Sequence, residues 1–152
     1  MLAVIAVFVG GLVGTALRLG LDVLLPHAVG ERLAGASVAW STVVVNLIGS
    51  LVLGYLVARL WRLASTPAWL KLGLGTGLLG SFTTFSAIAV NVVDAISLGS
   101  IGVAVAALVL SLVAGIAAAW LGLLLGGWHA GISRVARTRR ILDAIPDAGI
   151  DL

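Results

Sequence analysis

The stretch GSFTTFSA, Gly80 to Ala87, sets four hydroxyls and two phenylalanines beside a glycine inside a long apolar run. If a helix breaks there at membrane depth, freed carbonyls suit a dehydrated hard cation. The amides that open the following half-helix suit an anion. Gly80 is the expected pivot, because glycine adopts backbone angles that other residues avoid. Thr83, Thr84 and Ser86 supply hydroxyl donors beyond it. Phe82 and Phe85, spaced i and i+3, add ring edges that carry partial positive charge. Donors and ring edges with no carboxylate among them describe a lining for a small anion.

Further polar groups lie in the neighbouring apolar runs. Thr42, Asn46 and Ser50 fall at i, i+4 and i+8 and so share one helical face. Ser50, Gly49 and Gly54 read as packing residues of the kind that join membrane helices. Asn46 does not, because a carboxamide near mid-membrane needs a partner or a water-filled cavity. Ser111 is the one hydroxyl in a small-residue stripe that runs Ala104, Ala107, Ser111, Gly115 and Ala118. Arg18 and Asp22, at i and i+4, form an intrahelical pair or set a fixed positive charge at the mouth of an anion path. Both readings hold together if Asp22 neutralises the arginine only in part. Hydrolytic chemistry has no footing, since His27 and His129 flank apolar runs rather than sit within them.

These residues must be held by membrane helices. The chain is 61% hydrophobic and 10% charged, with a mean hydropathy of +1.23. A soluble domain of 152 residues cannot hide that much apolar surface. No cysteine is present, which excludes a disulfide scaffold. The net charge of +3 reads as basic loops facing anionic headgroups rather than as a nucleic-acid footprint. No cleavable signal or transit segment is expected, since no Lys or Arg precedes the first run and that run is of span length.

The apolar runs are about Leu2 to Leu25, Val38 to Leu60, Ala68 to Leu98 and Ile101 to Leu125. A polar loop with His27, Glu31 and Arg32 follows the first, and Ser65-Thr66-Pro67 makes a turn after the second. The third run is too long for one straight span and carries Gly73, Gly75, Gly77 and Gly80 just ahead of the hydroxyl cluster. The expected fold is an all-α membrane protein of four transmembrane helices, the third broken at mid-membrane. Residues 1–127 form the membrane domain, and residues 128–152 a basic and acidic cytoplasmic tail. In that tail Ile132, Val135, Leu142 and Ile145 are spaced to line one side of a short interfacial helix, while the favoured reading is a solvated basic tail near anionic lipid. Four helices are few for a transport pathway, so a second copy or a paralogue is expected to supply the rest.

Three segments, GGLVGTALR (Gly10–Arg18), STVVVNLIGSLVLG (Ser41–Gly54) and GSFTTFSA, together resemble the signatures of the CrcB/Fluc fluoride channels. The resemblance covers about Leu2 to Leu125. It implies a bacterial plasma- or inner-membrane channel that exports fluoride passively, built as an antiparallel dimer around two pores. It also implies a structural, untransported sodium ion at the dimer centre, held by main-chain carbonyls that correspond to Gly80 and Thr83. The pore asparagine corresponds to Asn46, with Thr42 one turn before it, Ser111 on the fourth helix, and Phe85 as the first ring of a phenylalanine pair. The second ring falls at Ile88, and the second serine of the fourth helix at Gly115.

Two rival readings remain at this stage. A four-helix multidrug exporter needs a mid-membrane carboxylate, whereas Asp22 and Asp94 lie near helix ends. A non-conducting or partner-dependent subunit fits the isoleucine at 88. Charge adds a further expectation. Arg59, Arg62, Lys71, Arg134, Arg137, Arg139 and Arg140 are seven of the nine basic residues and fall on one side of a four-span topology. Such a bias predicts one fixed orientation with both termini in the cytoplasm. An antiparallel neighbour would then be an oppositely oriented paralogue.

Overall fold

A computed structural model describes residues 1–24 and 40–143, with backbone alone for Trp40 and residues 128–143. The loop with His27, Glu31 and Arg32, and the tail residues Ile145, Asp147 and Asp151, lie outside the described residues. The described chain is helical: α1 (Leu2–Leu24), α2 (Trp40–Arg59), α3 (Ala68–Leu72), a π-helical segment (Gly73–Leu79), α4 (Gly80–Phe82), α5 (Ser86–Ser97) and α6 (Ile101–Asp143). Among the described residues, four spans are long and apolar enough to cross a membrane: Leu2–Leu24, Ser41–Arg59, Ala68–Ser97 and Ile101–Gly127.

Association within the bundle follows small residues. α1 lies along the π-helical segment, and α2 along α6. A Cβ added at Gly10 or Gly14 would overlap the carbonyls of Gly73 or Leu78. One added at Gly54, Gly122 or Gly126 would collide with Ala119, Leu51 or Tyr55 main chain. Lipid tails are as apolar as leucine, so close backbone approach rather than hydrophobic burial holds such helices together. Buried apolar side chains are accordingly few, led by Val45, Ala58 and Ala104. Large apolar residues of α1 and α6 such as Phe8, Leu110 and Trp120 face outward.

The connections satisfy the helix ends. Pro67 (φ −67°, ψ 147°) is the cap from which α3 starts at Ala68. Just past α2 the Leu60 carbonyl accepts the Thr66 hydroxyl at 2.7 Å, and the following Trp61 carbonyl accepts Lys71 Nζ at 3.1 Å. α5 ends in a Schellman turn: Gly99 at φ 75°, its N–H on the Ile96 carbonyl and Ser100 N–H on the Ala95 carbonyl, both 2.9 Å.

Two sequence-based expectations change. Gly80 is not the pivot: it keeps ordinary helical angles (φ −65°, ψ −29°), and Thr83 is the residue that turns extended (φ −83°, ψ 155°). The fourth helix does not end with its apolar run at Leu125 but continues to Asp143. Lipid solubility stops there, but nothing stops the helix, since the next proline is Pro146. The helical part of the tail is thus an extension of α6 and not a separate short helix.

Candidate functional site

Between α4 and α5 the helix is interrupted over Thr83, Thr84 and Phe85, with Thr83 extended and Phe85 already back at helical angles. Several of its polar groups find partners. Thr83 N–H and Thr83 Oγ1 both donate to the Leu79 carbonyl, at 2.9 and 2.8 Å. Thr84 turns to α2 instead: its N–H donates to Asn46 Oδ1, and its carbonyl accepts Asn46 Nδ2, each at 2.8 Å. In an unbroken helix the Thr84 N–H would serve the Gly80 carbonyl; diverting it to Asn46 takes that partner from Gly80. Thr84 Oγ1 shares a hydrogen bond of 2.8 Å with Ser86 Oγ.

α2 reaches this segment because of Gly49, one turn beyond Asn46 on the same face. A Cβ there would overlap the Thr83 methyl, and would lie 3.5 Å from Phe82 Cδ1. α6 comes close at Gly115, where an added Cβ would lie 3.8 Å from Ser50 Oγ.

An open groove of about 670 Å³ runs along the result. Asn46 from α2, Thr83, Thr84 and Phe85 from the non-helical segment, and Ser111 from α6 stand on its wall. Gly80 and Ile88 join them, and none of the described lining residues is ionisable. The groove therefore offers hydroxyl and amide donors with an aromatic ring, in a wall otherwise apolar. Phe85 is 63% exposed, free to present its ring.

Four other expected site residues stand elsewhere. Thr42 is buried within the bundle, and Phe82 is buried behind Gly49. Ser86 touches the site only through Thr84. Arg18 lies on α1 with its Nε 3.9 Å from Asp22 Oδ2, both side chains partly exposed. One participant was not expected from the sequence, the Thr84 main chain; Gly49 packs against Thr83 as a packing glycine should, and Ile88 stands on the groove wall where the resemblance sets a second ring.

Sequence comparison finds relatives along most of the chain. The family model described as CrcB-like protein, Camphor Resistance (CrcB), matches residues 5–123. The fluoride-specific ion channel FluC of Agrobacterium fabrum is 36% identical over 126 residues, covering 83% of this chain and 97% of that one. FluC 2 of Geobacillus kaustophilus is 33% identical over 118 residues, or 78% and 88% of the two chains. FluC of Bordetella pertussis is 36% identical over 119 residues, or 78% and 87%.

Proposed function

The chain belongs to the CrcB-like family, and from that membership we infer that it is a fluoride-selective ion channel that lets fluoride leave the cytoplasm passively. The observation that carries the reading is the convergence of Asn46, Thr83, Thr84, Phe85 and Ser111 on one groove wall without an ionisable residue. A desolvated anion needs donors to replace its hydration shell. A fixed cation would hold the anion too tightly for conduction, and a carboxylate would repel it. Purified protein in liposomes is expected to pass fluoride and exclude chloride. Equal chloride flux, or no fluoride flux with or without a candidate second subunit, would overturn the reading.

Within that function, Asn46, Thr84, Phe85 and Ser111 form the path. Ser86 borders it through its bond to Thr84, Arg18 stands off the groove beside Asp22, and Thr42 and Phe82, buried within the chain, pack behind its wall. A break at mid-membrane is supported by Thr83, which falls midway along the Ala68–Ser97 span. Sodium is the group to be held there by the Gly80 and Thr83 carbonyls. The donor set fits a hard cation: the Gly80 carbonyl has lost the Thr84 N–H to Asn46, and ψ 155° rotates the Thr83 carbonyl out of the helical direction. When bound, the ion would neutralise those carbonyl dipoles and stabilise the break.

The partner is a second subunit in antiparallel orientation, in the plasma or inner membrane of a bacterium, with no nucleic-acid role. Support comes from the openness of the groove, which one chain leaves unclosed. Residues 1–127 make the channel unit and 128–152 the cytoplasmic tail, in keeping with the family match ending at 123. A second reading, a subunit that conducts only beside a paralogue, draws on Ile88 lining the groove next to Phe85. It also draws on Lys71, whose bond to the Trp61 carbonyl ties it to the strongly basic second loop.

A further inference from the structure

A carboxamide is ambivalent toward ions, because its oxygen attracts cations while its two N–H groups attract anions. On a groove wall, an asparagine free to rotate would offer either end. Asn46 is not free: Thr84 N–H holds Oδ1 and the Thr84 carbonyl holds Nδ2, at 2.8 Å each. An N–H can meet only the oxygen and a carbonyl only the NH2, so this pair fixes both the plane and the sense of the amide. The clamp spends one oxygen lone pair and one hydrogen and fixes which edge of the amide turns to Thr84; the second Nδ2–H is the donor that this groove-lining residue keeps to offer.

We propose that the Thr84 main chain is a specificity-positioning element: it occupies the Asn46 oxygen and leaves the carboxamide to face the groove as a donor. This deepens the anion-channel reading and rests on it. The Thr84 side chain has a different role, since its hydroxyl is engaged with Ser86. The same exchange releases the Gly80 carbonyl from its helical partner, so one pair of hydrogen bonds sets donors on the groove and an acceptor at the break.

The test uses the full chain, with 15N-labelled asparagine for NMR and ion flux in liposomes. The two Asn46 Nδ2 protons are expected to exchange with solvent at rates at least tenfold apart, the slower one being the proton on Thr84. Equal rates would overturn the clamp whether or not the protein conducts, while absent flux with unequal rates would fault only the channel reading. Selectivity is tested with main-chain esters. α-Hydroxythreonine at position 84 deletes the N–H that holds Oδ1. α-Hydroxyphenylalanine at position 85 weakens the Thr84 carbonyl and leaves that of Thr83 untouched. Each is expected to lower fluoride-over-chloride selectivity at least tenfold. An ester at position 89, whose N–H donates to the Phe85 carbonyl at 3.0 Å, should leave selectivity unchanged. Unchanged selectivity in both clamp esters would overturn the proposal.

Discussion

Adding one methyl at Gly49 tests whether the approach of α2 to the non-helical segment is what sets the groove. The Cβ of Gly49→Ala would overlap the Thr83 methyl, with Phe82 Cδ1 at 3.5 Å and Thr83 Cβ at 3.7 Å. Two escapes exist. Thr83 can rotate, which takes Oγ1 from the Leu79 carbonyl now 2.8 Å away and forfeits about 1 kcal/mol. Otherwise α2 can retreat; because Asn46 and Gly49 share a face, retreat lengthens both 2.8 Å bonds to Thr84. Overpacking of this kind costs about 1–3 kcal/mol. Taking about 2 kcal/mol as the middle of that range, the population of the native arrangement falls roughly 30-fold.

Fluoride efflux from liposomes, normalised to reconstituted protein, is therefore expected to drop at least tenfold in Gly49→Ala. Gly102→Ala, where an added Cβ meets nothing within 4 Å, serves as the control and should behave as wild type. The decisive variant is the pair Gly49→Ala with Thr83→Ser. Serine keeps the hydroxyl that bonds Leu79 but lacks the offending methyl, and the remaining neighbours at 3.5 and 3.7 Å are ordinary contacts. Flux should return to near wild type. Wild-type flux in Gly49→Ala alone would show that the approach is looser than argued. A double variant as poor as the single one would show that the Thr83 methyl is not the obstacle.

Gly122→Leu should weaken the α2–α6 pair, because even a Cβ there would overlap the Leu51 carbonyl and lie 2.9 Å from Tyr55 N; a lowered melting temperature in detergent checks it, and an unchanged one refutes it. Cytoplasmic and periplasmic reporters fused to the C-terminus should give signal from the cytoplasmic one alone, given the basic bias of that side. Comparable signal from both would restore a single chain that inserts both ways.

The spans were legible because their evidence is local. Twenty or so apolar residues in a row have one physical use, and the hydroxyl cluster marked where the third span departs from it. What the sequence could not show were relations between distant residues. Asn46 and Thr84 lie 38 positions apart, and no spacing rule links them. Reading Asn46 as a residue in need of a partner was sound chemistry; that the partner would be a main chain required the fold. The mistake about Gly80 has the same origin. Glycine permits unusual angles but does not demand them, and the extended residue is Thr83, whose side chain and N–H both reach back to Leu79.

The glycines ahead of the break carry the larger lesson. In the sequence, Gly73, Gly75 and Gly77 stand out only as glycines just ahead of the hydroxyl cluster. In the fold they are contacts: Gly73 and Gly77 meet α1 main chain, and a Cβ at Gly75 would lie 2.8 Å from the Trp61 ring. The segment remains helical and widens to π geometry while α1 lies against it. Widening of this sort recurs at functional sites, and here it leads directly into the turn where Thr84 leaves the helix for Asn46. The glycines thus make room for α1 on one side of the third span, and Gly49 makes room for the break on another. Both work by omitting a Cβ, the first against α1 main chain and the second against the Thr83 methyl. A polar segment at membrane depth survives only if its groups are partnered, and these close approaches bring Asn46 within reach to partner them.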